Sequence, residues 1–149
     1  MSTPTYRGDL DKLRDRCEAL EDELGRLKEA VQFLVFCKAT DPAFAFYNWL
    51  VKHDVFDRRR ARLEHVLGVL DSRLVGQMPT VRKSVDGIPD QDLYDPSPPT
   101  REAARQLLMQ ALDTRNPAMI DELFQALSTQ TPERALAVWW KQLEEPNRG

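Results

Sequence analysis

LDKLRDRCEALEDELGRLKEAVQFL, residues 10–34, decides the fold of this chain. Apolar residues fall at Leu10, Leu13, Cys17, Leu20, Leu24, Leu27, Val31 and Leu34, in steps alternating three and four. An α-helix turns once in about 3.6 residues, so this spacing lays one narrow apolar seam along it. Such a seam asks for a partner helix. At about 1.5 Å per residue it runs for about 37 Å. Leu10, Cys17, Leu24 and Val31 take the a positions. Leu13, Leu20, Leu27 and Leu34 take the d positions, and leucine throughout d suits a parallel two-stranded coil. Only Val31 supplies the β-branched residue that such coils prefer at a.

The flanking charges choose an orientation. In a parallel pair, a g residue meets the e residue five positions later on the other chain. The charged pairs are Asp9 with Arg14, Arg16 with Glu21, and Glu23 with Lys28, all of opposite sign. In a fully overlapped antiparallel pair, Arg14 approaches Lys28, and Glu21 and Glu23 each approach their own symmetry mates. Parallel pairing is favoured and the reverse is penalised. Each exposed pair contributes only about 0.2–1 kcal/mol, so these charges select more than they stabilise. The expectation is a parallel homodimer over residues 10–34, with Cys17 facing its counterpart. The competing reading packs this helix only against later helices of its own chain. Gly25 on the outer face weakens the helix. Past Leu34 the apolar surface widens through Val35, Phe36 and Cys37, as if the helix were entering a globular core.

Composition sets bounds. The chain has 149 residues, 42% hydrophobic and 30% charged, with a net charge of −3. That fits one folded domain, or a coil with a small domain. The acidic balance argues against a general nucleic-acid coat. No apolar run reaches the ~18 residues of a membrane span, so no membrane partner is expected. Residues 1–9 lack the basic and apolar regions of a signal peptide. Cys17 and Cys37 lie too far apart on one helix to bridge, and free thiols in a reducing cytoplasm are expected.

Helix signals recur along the rest of the chain, and strand signals are nearly absent. Asp41-Pro42, Asn116-Pro117 and Thr131-Pro132 each pair a capping residue with proline at the first helical position. Thr100 can cap another helix. The sequence predicts a flexible stretch 1–8, a dimerising helix 9–38, and a helical pair within 41–75. A Pro/Asp-rich break follows at 76–99, and a three-helix part at 100–145. Within these, helices are expected over 42–53, 55–75, 101–113, 117–127 and 132–144. The break is expected to be mobile or peripheral to the helices, because it carries Pro79, Pro89, Pro96, Pro98 and Pro99 with Asp86, Asp90, Asp92 and Asp95. Its large apolar residues, Ile88, Leu93 and Tyr94, allow the alternative of packing.

Residues that could carry chemistry are few. The densest basic cluster is Arg58, Arg59, Arg60 and Arg62, at the N-terminal end of its helix, where the helix dipole disfavours cations. That mismatch points to an acidic partner for Arg58, Arg59 and Arg62, with local pairing to Asp54, Asp57 and Glu64 as the plain alternative. Nucleic acid is a less favoured partner. His53-Asp54 has the form of an oriented base, but the preferred reading is a helix-terminal histidine beside a capping aspartate. His53 and His65 are too far apart for a helical metal pair, and the cysteines lack CxxC spacing, so no metal or cofactor is expected. No phosphate-cradling glycine loop and no nucleophile motif occurs. Of Trp139 and Trp140, one faces the helix core, and Trp140 is retained as a candidate for a binding surface. The expectation is an all-α protein, a coiled-coil helix followed by a compact bundle. Its expected role is that of a non-enzymatic homodimeric adaptor, assembly factor or regulator contacting another protein. A dimeric DNA-binding regulator using Arg58–Arg62 is the runner-up, and a small helical enzyme with an interface site is third.

Overall fold

The computed structural model describes residues 3–38 and 41–144; within the first helix it describes the side chains of residues 6–32 and 34. The chain divides into two units, residues 1–38 and 39–149. The protein is all-α: among the described residues there is no strand, only an isolated bridge between Val85 and Ile88. The first unit is one helix, α1 (Thr3–Lys38), of 36 residues. It starts ahead of the expected Asp9, so residues 3–8 are helical. The side chains of Val35, Phe36 and Cys37, expected to enter a core, lie outside the described residues.

The second unit begins with a 3-10 turn, Pro42–Phe44, leading into α2 (Ala45–Lys52). Asp41 caps this entry by accepting from Ala43 N–H at 3.0 Å. Then come α3 (Asp57–Leu74), α4 (Asp90–Leu93), α5 (Arg101–Leu112), α6 (Pro117–Gln130) and α7 (Ala135–Glu144). Thr100 accepts from Ala103 N–H at 3.1 Å, and Asn116 from Ala118 N–H at 3.1 Å. These are the side-chain caps that free N–H groups at a helix start require. The α2–α3 junction is tighter than its sequence suggests. Val55 N–H donates to Leu50 C=O at 2.9 Å, while Asp54 turns left-handed at φ 54. Val55 is thereby drawn into the core ahead of α3 rather than starting it.

α7 starts three residues later than its proline suggests. Thr131 to Arg134 form a turn instead, closed by Arg134 N–H to Thr131 C=O at 3.1 Å. The cap comes from another helix: Asp71 on α3 accepts from Leu136 N–H at 3.1 Å and binds Arg134 at 2.7 Å. A carboxylate at a helix N-terminus is also favoured by the dipole. α2 packs on α6, α3 on both α5 and α7, and α6 on α7. Leu63, Leu67, Leu70, Leu108, Leu123 and Phe124 are fully buried at the centre.

The break at 76–99 departs from the mobile or peripheral segment expected. Val85, Ile88, Leu93 and Tyr94 are buried in the core. Gly87, at φ 81, makes the turn between Val85 and Ile88 that a side chain would strain. Buried Arg73 of α3 donates to the carbonyls of Asp92 (3.1 Å), Leu93 (3.3 Å) and Ser97 (3.1 and 3.3 Å). The prolines thus sit in a segment whose carbonyls one guanidinium ties down. Residues 80–84 form its longest run of consecutive exposed positions.

Candidate functional site

Along α1 every described side chain is exposed. The seam leucines are uncovered, from 51% exposed at Leu20 to 68% at Leu34, with Val31 at 42%. Cys17 is exposed with a free thiol. Tyr6 continues the spacing one d position earlier and is also exposed. The seam residues therefore form one continuous uncovered stripe, from Tyr6 through Leu10, Leu13, Cys17, Leu20, Leu24, Leu27 and Val31 to Leu34.

The arginine cluster divides between carbonyl contacts, a local ion pair and one residue without a polar partner among the described residues. Arg59 donates to the Leu112 carbonyl at 3.0 Å, and Arg62 to the Gln110 carbonyl at 3.3 Å. Both carbonyls belong to the last turn of α5, whose dipole end attracts cations. The cations misplaced on their own helix are correctly placed for the end of another. Arg62 also donates to the Asp86 carbonyl at 2.6 Å. Arg60 pairs with Glu64 at 3.3 Å. Arg58 alone of the cluster is exposed with no polar partner among the described residues.

Trp140 is buried, which removes it from the candidate binding surfaces. Its ring stacks on Phe124 at 3.8 Å with 2° between planes, and the Arg101 guanidinium covers it at 4.4 Å. An offset aromatic stack plus a cation over the ring accounts for the burial. Trp139 is partly exposed and packs against the core from outside.

His53 does meet a carboxylate, but not Asp54 or Asp57. Its Nε2 lies 2.8 Å from Glu122 on α6. Lys52 binds the other oxygen of Glu122. Lys52, then His53, hold the Glu122 carboxyl below the usual carboxylate range, against the opposing effect of its partial burial. Lys52 and His53, at the end of α2, and Glu122 of α6 make a helix-joining network.

The feature missed in the sequence lies beside α3. Two hollows of about 410 and 400 Å³ share His65 and Lys83 as lining. Helix α3 forms one wall and residues 79–86 the other. His65 Nε2 lies 2.9 Å from the Tyr94 hydroxyl, which donates to the Lys83 carbonyl at 2.6 Å. Burial pushes the Tyr94 phenol above its ordinary pKa, so it remains a donor. Gly68 lies on the helical wall, and a Cβ there would meet nothing within 4 Å. A mid-helix glycine costs roughly 0.5–1 kcal/mol relative to alanine, and here no close packing requires it. That unexplained glycine was the available sequence signal.

No family model, curated protein or solved structure matches this chain.

Proposed function

We propose that the chain is a non-enzymatic homodimeric interaction protein, an adaptor, assembly factor or regulator, that pairs in parallel through α1. The observation that supports this most is the uncovered leucine seam. Fully burying one leucine contributes roughly 1.5–3 kcal/mol, and the seam repeats that opportunity at every layer. A lone helix in water gains none of it, since helix stability in proteins comes mainly from packing an apolar face. The complementary e and g charges give the partner its identity: a second copy, in register. DNA binding through Arg58–Arg62 is less well supported, because Arg59 and Arg62 already cap α5. Light scattering on the full chain tests the reading. The wild type is expected at twice the monomer mass, and the double variant Leu20→Asp, Leu27→Asp at the monomer mass. A dimer retained in that variant, with circular dichroism showing the second unit still folded, rejects the seam as the interface.

A further inference from the structure

The hollows along α3 have a polarity. Arg58, Arg62 and Lys83 line one end, and none of them is in an ion pair among the described residues. The Nε of Arg62 is buried with no hydrogen-bond partner. Three carboxylates are near: Glu64, engaged by Arg60, Asp86, and Asp90, which accepts from the Ser84 hydroxyl at 3.0 Å. That leaves a surplus of positive charge at this end. The other end is lined by Gly68, Val69, Pro79 and Val81 together with Glu64, Ser72 and Thr80, Lys83 is shared by both ends, and Val81 is 64% exposed. From Arg58 to Val69 the helix rises about 16 Å at 1.5 Å per residue. An extended chain covers that in about five residues at about 3.3 Å each.

The second wall is also suggestive. Residues 80–84 exchange no backbone hydrogen bonds, apart from the Lys83 carbonyl that Tyr94 occupies. A strap whose backbone N–H and C=O groups are left open by the described residues can hydrogen-bond to a peptide backbone laid along it. We infer that the groove between α3 and residues 79–86 binds an extended acidic peptide. Its carboxylates meet Arg58 and Lys83, with Arg62, held on the Asp86 and Gln110 carbonyls, adding positive charge behind them, and its small apolar side chains lie over Gly68 against Val81. The absent side chain at Gly68 lets the peptide approach the helix. A nucleic-acid backbone fits less well, because its charge is even along its length and the groove's is not. This deepens the reading of the chain as an interaction protein and rests on that reading for needing a macromolecular partner. It does not depend on α1 pairing.

Amide chemical shifts of the full ¹⁵N-labelled chain test it. The probe is a terminally blocked pentapeptide of two aspartates followed by valine, alanine and valine; the control replaces both aspartates with lysine. The aspartate peptide is expected to give saturable shifts at Ala61, His65, Gly68 and Val81, and the lysine peptide none there. Lys83→Glu is expected to weaken binding about fivefold, the size of a partly exposed charge pair. Gly68→Leu, which fills open space on an exposed helix face, is expected to abolish the shifts while the fold is retained. Equal shifts from both peptides, no shifts from either, or shifts unchanged in Gly68→Leu would overturn the proposal. So would groove shifts produced by inorganic phosphate or duplex DNA but not by the aspartate peptide. Light scattering on the same samples keeps the readings apart: a monomer that binds the peptide contradicts only the dimer, and a dimer that ignores it contradicts only the groove.

Discussion

His65 Nε2 lies 2.9 Å from the hydroxyl of Tyr94, and this contact fixes which nitrogen of the imidazole carries hydrogen. Tyr94 gives its one hydrogen to the Lys83 carbonyl at 2.6 Å. Its oxygen is then an acceptor towards His65, so Nε2 carries the N–H. A single hydroxyl joins α3 to the strap through the residue that follows α4.

Removing that hydroxyl should loosen the strap. Tyr94→Phe keeps the ring in the core but leaves the Lys83 carbonyl and the His65 N–H to find water. Both are only partly buried, so the expected loss is about 1–2 kcal/mol in urea denaturation. Trypsin should then cut after Arg82 and Lys83 faster than in the wild type. Unchanged cleavage would show that Tyr94 holds the strap by packing alone.

Arg73 should matter more. Its guanidinium donates to carbonyls at three residues of the 76–99 segment and is itself buried. Burial lowers its pKa, and nearby Asp95 opposes that shift. Arg73→Met keeps an unbranched side chain but strands those carbonyls. The expected cost is about 2–4 kcal/mol, with amide protection lost first around Leu93. A loss below about 1 kcal/mol would mean the segment is held by Ile88, Leu93 and Tyr94 alone.

Much of this architecture was legible in local sequence, because helix starts are local events. Asp41 and Asn116 cap where their side chains and the following prolines say they should, and Thr100 caps after its two preceding prolines. Thr131-Pro132 carries the same signal and fails. The cap for α7 is Asp71, more than sixty positions away, and no local pattern encodes that distance. The arginine cluster misled for the same reason. Its helix-dipole mismatch was real, but the compensating carbonyls of α5 become visible only once α3 and α5 pack. The groove was harder still, since its walls come from one helix face and one strap, and its clearest signal is a side chain that glycine lacks.

Trp140 and Arg58 offer a direct contrast between a buried residue and a free one. Trp140→Ala removes the ring stacked on Phe124 and the surface that Arg101 covers, for an expected loss of about 3–5 kcal/mol. Arg58→Gln should change stability by less than about 0.5 kcal/mol, as for a surface site without partners. Thermal or urea melts of both variants check the order. A mild Trp140→Ala would return that residue to the candidate surfaces.

The Glu122 network predicts a pH dependence with a definite sign. Its carboxyl pKa is lowered in the folded state, first by Lys52 and then by His53. The stabilisation is therefore present above the unfolded carboxyl pKa of about 4.3 and is lost as pH falls through the lower folded value. Glu122→Gln should be less stable than the wild type at pH 7, and the gap should close by about pH 3. Urea midpoints at both pH values measure it. A constant gap would show that Glu122 contributes by packing rather than by charge.

Cys17 can report the orientation of α1 pairing. At an a position of a parallel, in-register coil, each Cys17 lies opposite its counterpart in the same layer, at a separation a disulfide can span. In a fully overlapped antiparallel pair its layer is offset from its own mate, and the like charges of Glu21 and Glu23 are brought together. Oxidation with copper–phenanthroline should convert the wild type to a covalent dimer on a non-reducing gel, and Cys17→Ser should abolish that product. The geometry of a disulfide is demanding, so a second probe is needed. Spin labels at Cys17 in a Cys37→Ser background should give one short distance, below about 20 Å, by pulsed electron resonance. The same label moved to Leu10→Cys should remain close, because a parallel coil keeps every a layer at one separation. A short distance at Cys17 with a long one near the helix start, at Arg7→Cys, would show the chains running in opposite directions and would defeat parallel pairing.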